Sequence, residues 1–208
     1  MDDASSEIST SRLEVATPVC STLDEVRAEL VRLRCEAGEV AARKGCRILA
    51  MATHPFSSWE DQRLSPGERY LSLFERWGML ALQQLITGCH VHVAVDDPEL
   101  TIAVLDRVRP WLPVLVAFDA LVADLVRAGA IDDATHLYWD ARPSVRYPTL
   151  EFRVGDVCPS VDVAVLYAAL ARSLTRTFVA AAQREKDAAP DVRPEVLRIA
   201  RWRAARHG

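Results

Sequence analysis

Thr149-Leu150-Glu151-Phe152-Arg153-Val154 alternates polar and apolar residues, and so does Gly88-Cys89-His90-Val91-His92-Val93. A period of two marks a half-buried β-strand, and side chains at i and i+2 then share a face. One strand therefore presents His90 and His92 together, and the other presents Glu151 and Arg153. If both strands share a sheet, one face gathers imidazole, carboxylate and guanidinium groups. These ligand-type groups can bind a metal ion, position a phosphate or carboxylate, or act as acid and base. The bland alternatives are a hydrogen-bonded core histidine and a cross-strand ion pair on a solvated face.

Working outward, Thr22 precedes Glu25 by three residues, a capping box that opens an amphipathic helix through Leu23, Val26, Leu30, Leu33 and on to Val40, ended by Gly45. The run 47–51 reads as a short buried strand leading to Thr53-His54-Pro55-Phe56, where His54 is either a loop ligand or a turn residue. A second capping box, Ser65 with Glu68 and with Pro66 at the first helical position, starts one long helix carrying Tyr70 through Leu85. The acidic group Asp96, Asp97, Pro98 and Glu99 opens a further helix running up to Pro110. Helical periodicity recurs over 113–129 and from Val161 to about Gln183, strands are read over 136–141 and 149–154, and the basic tail from Arg193 reads as helical. The run 12–18 resembles an edge strand that would place Glu14 on the same sheet face.

Helices outnumber strands and do not alternate regularly with them, so the class is α+β: a curved antiparallel or mixed sheet covered by helices. One domain over residues 1–208 is the simplest count, with 1–10 disordered. The chain is 50% hydrophobic and carries 25 Lys and Arg against 29 Asp and Glu, a net charge of −4. That balance gives no basic footprint for nucleic acid. No uninterrupted apolar stretch approaches the roughly 20 residues of a membrane span, and the start is polar, so no membrane association and a cytoplasmic location are expected. Five scattered cysteines, none in C-x-x-C spacing, point to reduced thiols. Phosphate-binding glycine loops and the His-Glu-x-x-His metalloprotease motif are absent.

Several motifs in order resemble the carboxylate-amine ligases of the glutamate-cysteine ligase family. They are Thr53-His54-Pro55-Phe56 with Trp59 and Gln62, Arg69-Tyr70, Gly88 to Val93, Trp139-Asp140-Ala141-Arg142-Pro143-Ser144, and Thr149 to Val154 with Asp156. The resemblance implies an incomplete version of a glutamine-synthetase-like catalytic fold, with ATP and Mg2+ on a concave sheet. It implies ATP-dependent joining of glutamate to cysteine or another amine through an acyl phosphate. By the same resemblance Glu14, His90 and Glu151 are metal ligands, Arg153 and His54 face the nucleotide, and Arg142 and His92 sit near the reacting groups.

The chain also departs from the pattern. It lacks the glutamate-rich opening strand of the family, Phe118 runs almost directly into the helix ending at Gly129, the chain stops at Gly208, and Ala94 and Pro148 stand where the motifs carry glycine. The competing readings are a non-catalytic relative or fragment that acts as a nucleotide-binding, metal-binding or interaction module, and, more distantly, a metal-dependent hydrolase. An exposed sheet edge would invite self-association into a homo-oligomer.

Overall fold

Thr22 caps the first helix, α1 (Leu23–Arg43), in a computed structural model that describes residues 4–83, 85–108, 141–184, 192, 193, 195, 196 and 199. The Thr22 hydroxyl accepts from the Glu25 amide at 3.1 Å, and the Glu25 carboxylate accepts from the Thr22 amide at 3.4 Å. Arg32 bridges Glu29 and Glu36 at 2.8 Å each on the solvent side, while Leu33 and Ala37 are buried. Gly45, at φ 70, follows the helix in a left-handed turn that suits glycine.

Two compact units are formed: Met1–Gly88 with Asp156–Leu166, and Cys89–Gly155 with Tyr167–Gly208. In the first, β1 (Ala4–Ser6) pairs antiparallel with β2 (Leu13–Val15), Ser5 facing Glu14. The N-terminal residues expected to be disordered are thus ordered from Ala4. Their polar groups find fixed partners: Ser65 N donates to Ile8 O, Thr10 N to Arg63 O, and the buried Ser9 hydroxyl to Gln62 Oε1 at 2.7 Å.

Two further expectations are corrected in this unit. Residues 47–51 form no strand; the run has no partner strand among the described residues, and Ile48, Leu49 and Met51 stay exposed. The long helix from Ser65 is shorter and broken. Ser65 is buried with its amide committed to Ile8, so the helix α2 (Glu68–Trp77) starts after Gly67 at φ 143. Gly78, at φ 55 and ψ −133, then separates it from the single turn α3 (Met79–Leu82).

The second unit carries a three-stranded sheet in the order β3 (Gly88–Ala94), β5 (Thr149–Asp156), β4 (Ala141–Pro143). Arg142 faces Glu151 across the antiparallel β4–β5 pair. Contacts between β3 and β5 run in opposite order along the chain, from His90 at Arg153 to Val95 N donating to Pro148 O, so this pair is antiparallel too. Val91, Val93, Leu150, Phe152 and Ala141 point to the other face and build the core with α4 (Pro98–Val108) and Ala171, Leu174 and Phe178 of α5 (Val161–Arg184). Asp97 Oδ1 accepts from the Glu99 amide at 2.9 Å and starts α4, as its acidic lead-in predicts.

By length and composition α5 is long and apolar enough to cross a membrane, although it is not an uninterrupted apolar stretch. Ala, Leu and Val supply that character. Arg172 and Arg176 interrupt it, and Ala171 lies buried in the core, which suits a core helix equally well. The helix expected over 113–129, Trp139, Asp140 and most of the basic tail lie outside the described residues.

Candidate functional site

The pleat of the three-stranded sheet delivers the polar face opposite the core. Alternation places His90 and His92 of β3 on that face beside Thr149, Glu151 and Arg153 of β5, and register adds Arg142 from β4. Five of the seven residues singled out from sequence therefore converge.

Glu151 is the centre of the group and is 3% exposed. Its Oε2 accepts from Arg142 Nε at 2.7 Å, and its Oε1 accepts from Arg153 Nη1 at 2.6 Å. His90 Nδ1 lies 3.6 Å and His92 Nε2 3.7 Å from the same Oε1. His90 Nδ1 is also 3.5 Å from Arg153 Nη1. Arg142 is buried as well, at 7% exposure, so this is a desolvated ion pair whose removal would strand a charge.

The electrostatics follow from that burial. Desolvation lowers His90 to about 4, reinforced by the Arg153 charge and opposed by Glu151. Burial likewise lowers His92 against the pull of Glu151. For Glu151 burial favours the neutral acid, but the hydrogen bond and charge of Arg142, with those of Arg153, outweigh it and hold the carboxylate below its ordinary range. At neutral pH the described group has one carboxylate, two guanidiniums and two neutral imidazoles, a net charge of plus one.

Thr149 was not singled out from sequence, although its position two residues before Glu151 puts it on the same face. Its hydroxyl lies 3.0 Å from His92 Nδ1, and Tyr147 meets the His92 ring edge-on at 6.3 Å. Together they fix that imidazole with Nε2 toward Glu151.

Glu14 and His54 belong to the first unit. Glu14 sits on β2, whose partner is β1 in a separate two-stranded sheet, so its expected place on the His90 and Glu151 sheet is corrected. The polar, serine-rich segment that pairs with β2 was not read as a strand. His54 Nδ1 accepts from the Phe56 amide at 3.2 Å, a turn-stabilising contact. None of the five cysteines forms a disulfide.

The donor set of the described residues does not fit Mg2+. Among the described residues no three His, Cys, Asp or Glu side chains gather as a metal ion requires. The one carboxylate of the cluster gives each oxygen to a guanidinium, while Mg2+ demands several oxygen ligands. Two arginines anchored on a buried carboxylate suit an oxyanion instead.

The sequence profile of Glutamate-cysteine ligase family 2 (GCS2) matches residues 1–120 and 116–208. The chain is 39% identical over 239 residues to "Putative glutamate--cysteine ligase 2" of Salinispora arenicola, an alignment covering 95% of this chain and 62% of that protein. Proteins of the same printed name from Streptomyces coelicolor and Rhodopirellula baltica are 37% and 34% identical, covering 97% of this chain and 66% and 65% of theirs. The chain thus spans less than two thirds of the first relative's length. The 239 aligned positions exceed the chain's 208 residues, and the two profile matches meet at 116–120, so the relative carries an internal stretch with no counterpart here. On the strength of the profile match, this chain belongs to Glutamate-cysteine ligase family 2.

Proposed function

We propose that the chain is an ATP-dependent carboxylate-amine ligase with a glutamine-synthetase-like catalytic sheet, joining the γ-carboxylate of glutamate to the amine of cysteine or a related amine. Family membership together with the arginine-anchored face supports this reading. The observation that carries it is the convergence of Arg142 and Arg153 on one buried carboxylate.

The chemistry divides into two displacements. A γ-carboxylate oxygen of glutamate attacks the terminal phosphorus of ATP, the bond to ADP breaks, and an acyl phosphate forms. The amine nitrogen then attacks the acyl carbon, the carbon–oxygen bond breaks, phosphate departs, and the nitrogen gives up its proton. Both steps place negative charge on phosphoryl oxygens, where fixed guanidiniums act more strongly than water because they need no reorganisation. Arg153 faces the transferred phosphoryl group. Arg142 holds the carboxylate that aims it, and His92, neutral and oriented by Thr149, is placed to take the proton of the amine.

A second reading, a non-catalytic relative that keeps the anion site, is favoured by the missing internal stretch. ADP release separates the two. The ligase reading expects ADP only when glutamate and amine are both present, with a loss of about 100-fold or more in Arg153→Gln. No ADP with any amine tried, beside a melting shift on adding phosphate, would decide for the second.

A further inference from the structure

The cluster on the β3, β5 and β4 face is built the wrong way round for a cation. Glu151 is 3% exposed, and each of its oxygens is taken by a guanidinium at 2.6 or 2.7 Å. A cation approaching Oε1 meets Arg153 Nη1 already there, with His90 and His92 behind it. An anion meets the opposite situation. The contacts of Arg153 with described residues run through Nη1 alone, so Nε and Nη2 remain as donors on a side chain that is 15% exposed.

We propose that this face is a receptor for a phosphate-type oxyanion that binds without a metal ion, and that Glu151 is the counter-ion fixing Arg142 and Arg153 rather than a metal ligand. The proposal rests on the site of the ligase reading but not on its turnover. Two adjacent buried guanidiniums repel one another, and an uncompensated pair would splay apart. Glu151 offsets that repulsion, sets the two planes and still leaves Nε and Nη2 of Arg153 for a ligand. The neutral imidazoles add hydrogen-bonding capacity without competing for the anion.

The experiment uses the full chain, with inorganic phosphate as one probe and Mn2+ alone as the other. Phosphate binding is measured by calorimetry in EDTA and again in Mg2+. The histidine ring protons are followed by NMR as Mn2+ is added. The expected result is the same phosphate affinity in both buffers, a loss of about tenfold or more in Arg153→Gln, and no Mn2+ broadening of His90 or His92. Two results would overturn the proposal: no phosphate binding in EDTA, or Mn2+ broadening of both rings that Glu151→Gln removes. The wild-type measurements decide even if that variant fails to fold. Metal-free phosphate binding without ADP formation would sink the ligase reading and keep this one, whereas turnover with Mn2+ seated at His90 would do the reverse.

Discussion

His90 shows how a single side chain reports the whole cluster. Burial and the Arg153 charge hold it neutral down to about pH 4, whereas in the unfolded chain it takes its proton near the ordinary value of 6.5. Between those values the unfolded state holds more protons, so stability falls as pH drops from 6.5 through about 4 and is complete above 6.5. Glu151 acts in the same direction. Its contribution is present above its ordinary value of 4.5 and is lost as pH falls through its lowered folded value. For His90 the difference is worth about 2 kcal/mol once screening of a side chain 32% exposed is allowed for. An NMR titration of the five histidines should find one ring titrating near pH 4, lost in His90→Asn, and the urea midpoint should decline below pH 6.5. A His90 that titrates at 6.5 or above would mean that the Arg153 contact and the burial are absent.

At the scale of elements, the end of β5 is tied to α5 by a close approach. The Gly155 amide donates to the Tyr167 hydroxyl at 3.2 Å, and a Cβ on Gly155 would lie 2.7 Å from the Tyr167 ring. Gly155→Ala must push the ring aside and break that hydrogen bond, at a cost of about 2 kcal/mol. Tyr167→Phe loses only the hydroxyl and should cost about 1 kcal/mol. Thermal melts of both variants check the order, and an alanine variant as stable as the parent would show that the ring is free to move. The elements also show what a sequence discloses. The polar-apolar alternation of β3 and β5 and the Thr22 capping box are local patterns, and each was legible because its cause is local. The Ser65 cap failed because that amide is claimed by Ile8, more than fifty residues away in sequence. The serine-rich β1 failed for the same reason: strand formation there depends on pairing with β2, not on propensity. The cluster itself was half legible, since alternation gives the pairs on each strand while only register brings Arg142 opposite Glu151.

For the whole molecule, connectivity matters more than length. Each unit is assembled from separated stretches, and the first needs Asp156–Leu166 as well as Met1–Gly88. The later stretch supplies specific partners. Arg34 donates to the carbonyls of Cys158 and Pro159 at 2.6 and 2.9 Å, Val157 N donates to Thr87 O at 2.9 Å, and Asp162 pairs with Arg27. The exposed Arg27 pair contributes little, but Arg34 bonding two carbonyls and the Val157 amide together contribute on the order of 2 kcal/mol or more. A fragment ending at Gly88 should therefore melt well below the full chain, even though it keeps all of α1 and its capping box. Adding a peptide that spans 156–184 in trans should recover part of the loss, and a peptide in which Asp162 is replaced by Asn should recover nearly as much. Circular dichroism of α1 helicity against temperature reads all three cases. A fragment as stable as the full chain would show that the returning stretch is not needed for the unit, and that Arg34 finds equivalent acceptors within the first 88 residues.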